Sequence, residues 1–175
     1  MDNDETDNVR GADKKEAFHQ EAEKKVHTFT FERPGIGFQT EKKKIHVRLA
    51  GTNHLRAQVQ VLAEGGENNL HYHPHVDLIY MVIAGRVRFY GNNDVLLGEF
   101  GPLEGINMPR NCRYWFESVG DEELHLLQIA GFPNGETHKR VDVKPPKQAD
   151  GGRSVWYDKD SGKVIKDEDL QLGKH

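Results

Sequence analysis

The chain has 175 residues, with 24 Lys or Arg, 28 Asp or Glu and a formal net charge of -4, which argues against general nucleic-acid binding because phosphate contacts need a concentrated basic surface. Its single cysteine, Cys112, excludes an internal disulfide, and no apolar run is long enough to span a membrane. The amino terminus lacks the basic and apolar regions of a secretory signal, so we expect one soluble, cytoplasmic domain with tails and no membrane partner.

The first 25 residues are dominated by Asp, Asn, Glu and Lys, with too little apolar surface to form a core. They predict a disordered tail that carries a short helix within residues 14–25. Alternating apolar residues appear at 28–31 and again at 44–49, which predicts the first strands of a domain that begins at residue 26. The lysine run at 42–44 is expected to be a solvated edge.

The clearest alternation lies at residues 55–62, where Gln58 and Gln60 occupy the face opposite the valines. These glutamines are either surface groups or substrate contacts, and parity leaves both open. More short strands follow up to residue 131, separated by Gly, Pro and Asn turns. Many short strands without a core helix predict a barrel or sandwich, but periodicity does not separate a jelly roll from an immunoglobulin-like sandwich.

Residues 132–175 are polar again, with paired prolines and paired glycines as linker signals. Within them residues 154–165 predict a small hairpin around a glycine turn. An isolated hairpin is marginal in water, so Trp156 and Tyr157 need a covering surface, either the barrel or a second subunit. The predicted organisation is a tail at 1–25, a β domain at 26–131 and an extension at 132–175.

Three histidines alternate at His71, His73 and His75, and a carboxylate follows at Asp77. On a strand His71 and His73 point to the same face, close enough to share one cation. On a straight strand His71 and Asp77 would be about 20 Å apart, so they meet at one ion only if the chain bends, for which Pro74 is the natural place. The alternative is a solvated, histidine-rich edge strand.

Gly65, a five-residue spacer, the His-x-His pair, Asp77 and a closing Gly85 resemble the first motif of the cupin superfamily. The acidic position departs from the motif by one residue, because the spacing that fits Gly85 falls on Leu78. Asp77 is the predicted carboxylate, with a one-residue irregularity after it.

Residues 108–118 occupy the place of the second cupin motif. Asn111 stands for the turn glycine, because Asn tolerates the left-handed conformation. Tyr114 stands for the histidine ligand and Ser118 for the asparagine, so the usual fourth ligand is absent. Tyr114 therefore has three interpretations: a phenolate ligand to an oxidised metal, a hydrogen-bond donor to substrate, or a residue that fills the barrel.

The resemblance implies a single-domain, bacterial-type member with a degenerate second motif. The fold would be all-β, a cupin-like double-stranded β-helix or jelly-roll barrel with polar N- and C-terminal extensions. It also implies a homodimer, formed through the apolar side of one strand at Ile79, Met81 and Ile83 or through the Trp156 hairpin.

The resemblance further implies one divalent transition metal, with iron preferred and manganese, nickel, cobalt or zinc as alternatives. The candidate metal ligands are His71, His73 and Asp77, with His75 and His125 as alternative ligands. Both alternatives also have simpler interpretations, as an exposed histidine and as an outer strand residue. Tyr114 is the candidate catalytic residue, and the candidate substrate contacts are Gln58, Gln60 and Arg113.

Two functional classes follow from these residues. The first is a metal-dependent enzyme acting on a small molecule, either a non-haem iron dioxygenase or a metal-assisted isomerase or decarboxylase. The second is a non-catalytic, small-molecule-binding or regulatory barrel. The intact His-x-His pair favours the first class, and the missing second-motif histidine favours the second.

Overall fold

The computed structural model describes residues 15–35, 44–64, 66–133, 139–143, 145, 155–158 and 163–165. The chain divides into two units, Met1–Thr30 and Phe31–His175. In the first unit residues 15–23 are helical, within the span for which the sequence predicts a short helix. Among the described residues no helix has the length and apolar character needed to cross a membrane. Gly65 of the first motif lies outside the described residues.

The second unit is built from strands. The described strands are β1 (Lys44–Gly51), β2 (Leu55–Leu62), β3 (His71–Tyr72), β4 (Asp77–Ala84), β5 (Val87–Tyr90), β6 (Leu96–Phe100), β7 (Gly105–Met108), β8 (Trp115–Ser118), β9 (Leu124–Gly131), β10 (Val141–Asp142), β11 (Val155–Asp158) and β12 (Lys163–Ile165). A short 3-10 turn, Asn92–Asp94, separates β5 from β6.

Seven of these strands form one sheet in the order β12-β11-β1-β2-β9-β4-β7, and three form a second in the order β6-β5-β8. The remaining pair, β10 and β3, forms a small third sheet. One apolar cluster joins the two larger sheets through Leu62, Val82, Leu124, Val87, Phe89 and Phe116. The inward faces of the two sheets therefore form the interior of one barrel.

Both faces of β2 are buried, so the alternation of polar and apolar residues along it does not separate a solvent-exposed face from a buried one. Val59 is fully buried in an outer cluster that Phe31 and Tyr157 cover. On the inward face Gln58 and Gln60 are only 5% and 4% exposed. The glutamines are therefore groups of the barrel interior, which excludes the surface alternative that parity left open.

Lys44 does not lie on a solvated edge, which corrects the prediction for this residue; Lys42 and Lys43 of the lysine run lie outside the described residues. It begins β1 opposite Leu62 of β2, and its side chain is 4% exposed. Its Nζ lies 5.0 Å from the ring centroid of Phe116, a member of the interior cluster. Lys44 is buried because strand pairing places it on the inward face of β1, although a lysine side chain ordinarily favours water.

The segment for which a hairpin is predicted contains β11 and β12, which pair antiparallel, while β11 pairs in parallel with β1. Trp156 stacks on His46 with ring centroids 4.4 Å apart, and Tyr157 packs on the outer cluster. The barrel supplies the surface that these aromatic residues need. Ile79 and Ile83 of β4 are 52% and 37% exposed, so this face is accessible to the second subunit of the predicted homodimer.

Gly85, the closing glycine of the first motif, turns the chain with a φ of +75°, and a β-carbon there would lie 2.8 Å from the Glu123 carbonyl oxygen. We expect Gly85→Ala to lower the free energy of unfolding by about 2 kcal/mol, because it combines left-handed strain with a backbone clash. The matched control is Gly120→Ala, at a φ of +85° with nothing within 4 Å, which should lose only about 1 kcal/mol. Equal losses in urea denaturation would contradict the steric part of this prediction.

Candidate functional site

His71 and His73 are neighbours at one end of the barrel. β10 pairs with β3 on one side, and Tyr114 forms an isolated bridge with His71 on the other. The two imidazole centroids are 5.1 Å apart, and the ring planes are nearly perpendicular at 88°. The side chains are only 2% and 4% exposed. Local pairing on both sides of β3 therefore holds the two rings together away from bulk water.

Each imidazole is oriented by a backbone carbonyl. Nδ1 of His71 lies 2.7 Å from the Asn69 oxygen, and Nδ1 of His73 lies 3.0 Å from the Lys139 oxygen. A carbonyl oxygen only accepts, so Nδ1 carries the proton in both rings and Nε2 carries the lone pair. Burial and then the charge of Arg140 lower the pKa of His71 well below 6.5, and burial also lowers the pKa of His73. Both rings are neutral near pH 7, the form that binds metal ions.

Tyr114 lies beside the histidine pair. Its backbone exchanges two hydrogen bonds with His71, at 3.1 and 2.9 Å, and the two ring centroids are 4.5 Å apart. Its hydroxyl lies 2.8 Å from the hydroxyl of Tyr80, and both side chains are buried. Burial raises the pKa of both phenols above 10. Tyr114 is therefore a neutral phenol next to His71 and not a preformed phenolate.

The turn of the second motif adopts the backbone that its sequence predicts. Asn111 has a φ of +66°, the left-handed conformation for which it replaces glycine. Cys112 donates its backbone N–H to the Pro109 carbonyl at 3.1 Å, which closes the turn, and Asn111 donates its N–H to the His73 carbonyl at 2.9 Å. The turn thereby fixes the backbone that carries His73.

Asp77 interacts with Arg110 and is not part of a metal-binding cluster with the histidines. Its carboxylate accepts hydrogen bonds from the Arg110 backbone N at 2.9 Å and from Nη2 at 2.6 Å, and its side chain is 44% exposed. These hydrogen bonds lower the pKa of Asp77. Within the described ranges no three His, Cys, Asp or Glu side chains are grouped so that they could hold a metal ion. The predicted set of His71, His73 and Asp77 is not assembled, because the Asp77 carboxylate binds the turn at residue 110.

We expect Asp77→Asn to leave metal affinity unchanged and to alter the free energy of unfolding by less than about 1 kcal/mol, because exposed ion pairs contribute little. Calorimetric titration of the purified variant with a divalent ion, beside the unsubstituted protein, measures the first quantity. A loss of affinity as large as that caused by removing a histidine would mean that Asp77 reaches the ion in solution.

Two cationic side chains lie near the histidines. Arg140 precedes β10, and its Nε and Nη2 donate to Oδ1 of Asp142 at 2.8 and 2.6 Å. Its charge perturbs the pKa of five interior groups, which are His71, His73, Lys44, Tyr80 and Tyr114. Burial and then Arg140 lower the pKa of Lys44 from 10.5 to about 7. The charges of Arg140 and Lys44 therefore both lower the pKa of His71.

A row of buried amides continues from the tyrosines along the interior. Tyr80 is hydrogen-bonded to the side chain of Gln60, whose Nε2 donates to Oε1 of Gln128 at 2.7 Å. Nε2 of Gln58 donates to the same oxygen and also lies 3.2 Å from Nδ1 of His46. Oε1 of Gln58 is buried and has no hydrogen-bond partner among the described residues. This side of the barrel is thus a connected polar path.

The other candidates do not line this interior. His75 and Arg113 are exposed. His125 lies on the outer face of β9, where its Nε2 is 2.8 Å from the Glu123 carboxylate and its ring packs edge-on against Phe31. The substrate contact predicted at Arg113 and the alternative ligand predicted at His125 therefore lie apart from the histidine pair: Arg113 is exposed in the segment before β8, and alternation along β9 gives the inward positions to the neighbours of His125.

Sequence reasoning missed four interior groups, Lys44, Tyr80, Gln128 and Arg140. Tyr80 and Gln128 are paired across β4 and β9, and each alternates with apolar residues as Gln60 does, so strand parity could have found them. No sequence signal marks the other two, because Lys44 ends a lysine run and Arg140 lies in a polar extension.

No protein-family model matches the sequence, and no curated protein shows significant sequence similarity to it. Solved structures do match. A conserved protein with a double-stranded β-helix domain from Klebsiella pneumoniae subsp. pneumoniae MGH 78578 has a TM-score of 0.56 at 18% identity, covering 70% of this chain and 95% of that one. An RmlC-like cupin protein from Desulfovibrio desulfuricans has a TM-score of 0.50 at 15% identity, covering 60% of this chain and 97% of that one.

The strand arrangement and these likenesses define the class of fold: an all-β double-stranded β-helix, or jelly-roll barrel, like that of these two structures. This is the fold that the resemblance of the first motif implies. More particularly, its described strands form one barrel, in which Tyr114 occupies the second-motif position of a histidine. Because one fold hosts many chemistries, the reaction has to be argued from the site.

Proposed function

We propose that His71 and His73 bind one divalent transition-metal ion and that the barrel presents this ion to a small-molecule substrate. The observation that carries the proposal is the pair of hydrogen bonds from Nδ1–H to the Asn69 and Lys139 carbonyls. Metal-ligating histidines are typically held in this way, because the bond selects the tautomer and makes Nε2 the donor atom.

The donor chemistry fits a borderline ion. Two neutral imidazole nitrogens suit ferrous iron, manganese, nickel, cobalt or zinc, and iron is the first ion to test. Two imidazoles fill only two coordination positions of such an ion, and among the described residues no third His, Cys, Asp or Glu is grouped with them. Open positions favour a catalytic role over a purely structural one.

A bound ion would supply Lewis-acid polarisation of a substrate carbonyl or activation of dioxygen. The residues around it would hold and donate protons. Tyr114 keeps its proton at neutral pH because burial raises its pKa, so its hydroxyl is the proposed donor to a substrate oxygen that gains negative charge. Tyr80, held by Gln60, is the proposed positioning residue, because it is hydrogen-bonded to the Tyr114 hydroxyl.

A second candidate function is a non-catalytic barrel that binds a small molecule. It is favoured by the pairing of Asp77 with Arg110, which withdraws the predicted carboxylate ligand from the histidines. In this case the polar interior would serve recognition alone. The two candidates differ in whether the native protein retains a metal ion.

The test is elemental analysis and thermal denaturation of the full chain, purified without a metal-affinity tag. We expect about one equivalent of a transition metal, a lower melting temperature after chelation, and recovery on adding the same ion, because an ion that binds only the native state stabilises it. Absence of metal, with no change in melting temperature on adding iron, manganese, nickel, cobalt or zinc, would support the non-catalytic barrel instead.

A further inference from the structure

Lys44 carries an amine inside the barrel, and no ion pair joins it to a carboxylate among the described residues. Its side chain is 4% exposed, and its Nζ lies 5.0 Å from the centroid of the Phe116 ring. Among the described residues no carboxylate is within ion-pair distance of Nζ. A buried ammonium without a counterion is strongly disfavoured, so the folded protein either keeps this amine neutral or receives an anion beside it.

The charged neighbours of Lys44 do not supply that anion. The charge of Glu67 raises the pKa of Lys44, but less than burial and the positive charge of Arg140 lower it. Asp142, the nearby carboxylate on β10, is already paired with Arg140. Within the part of the chain that the structure describes, the Lys44 amine on the inward face of β1 is therefore not matched by a carboxylate in an ion pair.

We propose that the ligand of this barrel is a small monocarboxylate, whose carboxylate binds the Lys44 ammonium. A single negative charge matches the single uncompensated ammonium, whereas a phosphate dianion would leave one charge unmatched.

This inference rests on the proposed function, which places the ligand at the barrel end that holds the histidines. Lys44 belongs to the same region, since its charge lowers the pKa of His71. Recognition of the carboxylate by Lys44 needs no metal ion, however. Anion binding can therefore be measured on the metal-free protein, separately from metal content.

The experiment is calorimetric titration of the chelator-treated full chain with benzoate and acetate, each compared with its neutral amide, and with inorganic phosphate. We expect the carboxylates to bind at least about tenfold more tightly than the amides and more tightly than phosphate. Lys44→Met should weaken carboxylate binding at least about tenfold. The matched control, Lys163→Met, removes an exposed lysine of β12 and should leave the affinity unchanged.

Equal binding of benzoate and benzamide, tighter binding of phosphate, or unchanged carboxylate affinity in folded Lys44→Met would overturn the inference. Circular dichroism establishes that the variant is folded, and Lys44→Gln replaces it if it is not. Loss of carboxylate recognition in a protein that keeps its metal would overturn this inference and leave the proposed function standing.

Discussion

Replacing both His71 and His73 with alanine is expected to reduce the bound metal from about one equivalent per chain to nearly none. Each imidazole supplies one Nε2 donor, and the described residues offer no third imidazole or carboxylate that could take over. Elemental analysis of the purified double variant measures this directly. Chelation should then have no further effect on its melting temperature, because no ion remains to be removed.

The matched control removes two histidines that the structure places elsewhere. His75 is exposed, and His125 is paired with Glu123 on the outer face of β9. We expect His75→Ala/His125→Ala to retain a full equivalent of metal. Full metal content in the His71→Ala/His73→Ala protein, or its loss in the control variant alone, would refute the assignment of the site.

Lys44→Met is expected to make the metal-free, ligand-free protein more stable by about 2 to 4 kcal/mol at pH 6. The pKa of Lys44 falls from 10.5 to about 7 on folding, chiefly because of burial. Below pH 7 the lysine is protonated in both states, so the folded protein bears the full cost of a buried charge. Between pH 7 and 10.5 the unfolded chain binds a proton that the folded chain has released, so the unsubstituted protein gains stability as the pH rises.

The measurement is urea denaturation of the two proteins from pH 6 to pH 10. The difference in the free energy of unfolding should shrink steadily towards the alkaline end. Lys163→Met, at an exposed position, should show no such trend. A difference that is independent of pH would show that Lys44 keeps its ordinary pKa in the folded protein.

Lys44→Met thus pairs two opposite expectations, a more stable protein and a weaker ligand site. Functional sites commonly retain buried polar groups that lower stability, because the same groups are needed for recognition. A more stable variant with undiminished carboxylate binding would separate the two effects and remove the functional reason for a lysine at this position.

Part of the site is local in sequence and was therefore predictable. His71 and His73 are two residues apart, and a short strand brings their rings together whatever the rest of the chain does. The left-handed Asn111 is likewise a property of its own turn. Asp77 was misplaced, because the sequence offers its spacing from the histidines but not Arg110, its partner 33 residues away.

The sequence by itself determined the all-β barrel, the paired imidazoles and the turn that carries Tyr114, because alternation, turn residues and short spacings act over a few residues. Tertiary structure alone decided which face of each strand points inward. Strand period is the same for an exposed and a buried face. The position of β2 in the middle of the large sheet made Gln58 and Gln60 interior, while Phe31 and Tyr157 cover its other face. Lys44 and Arg140 are brought near His71 by segments that are far apart in the chain. Their effect on the pKa of His71 depends on folding, so no local sequence pattern predicts it.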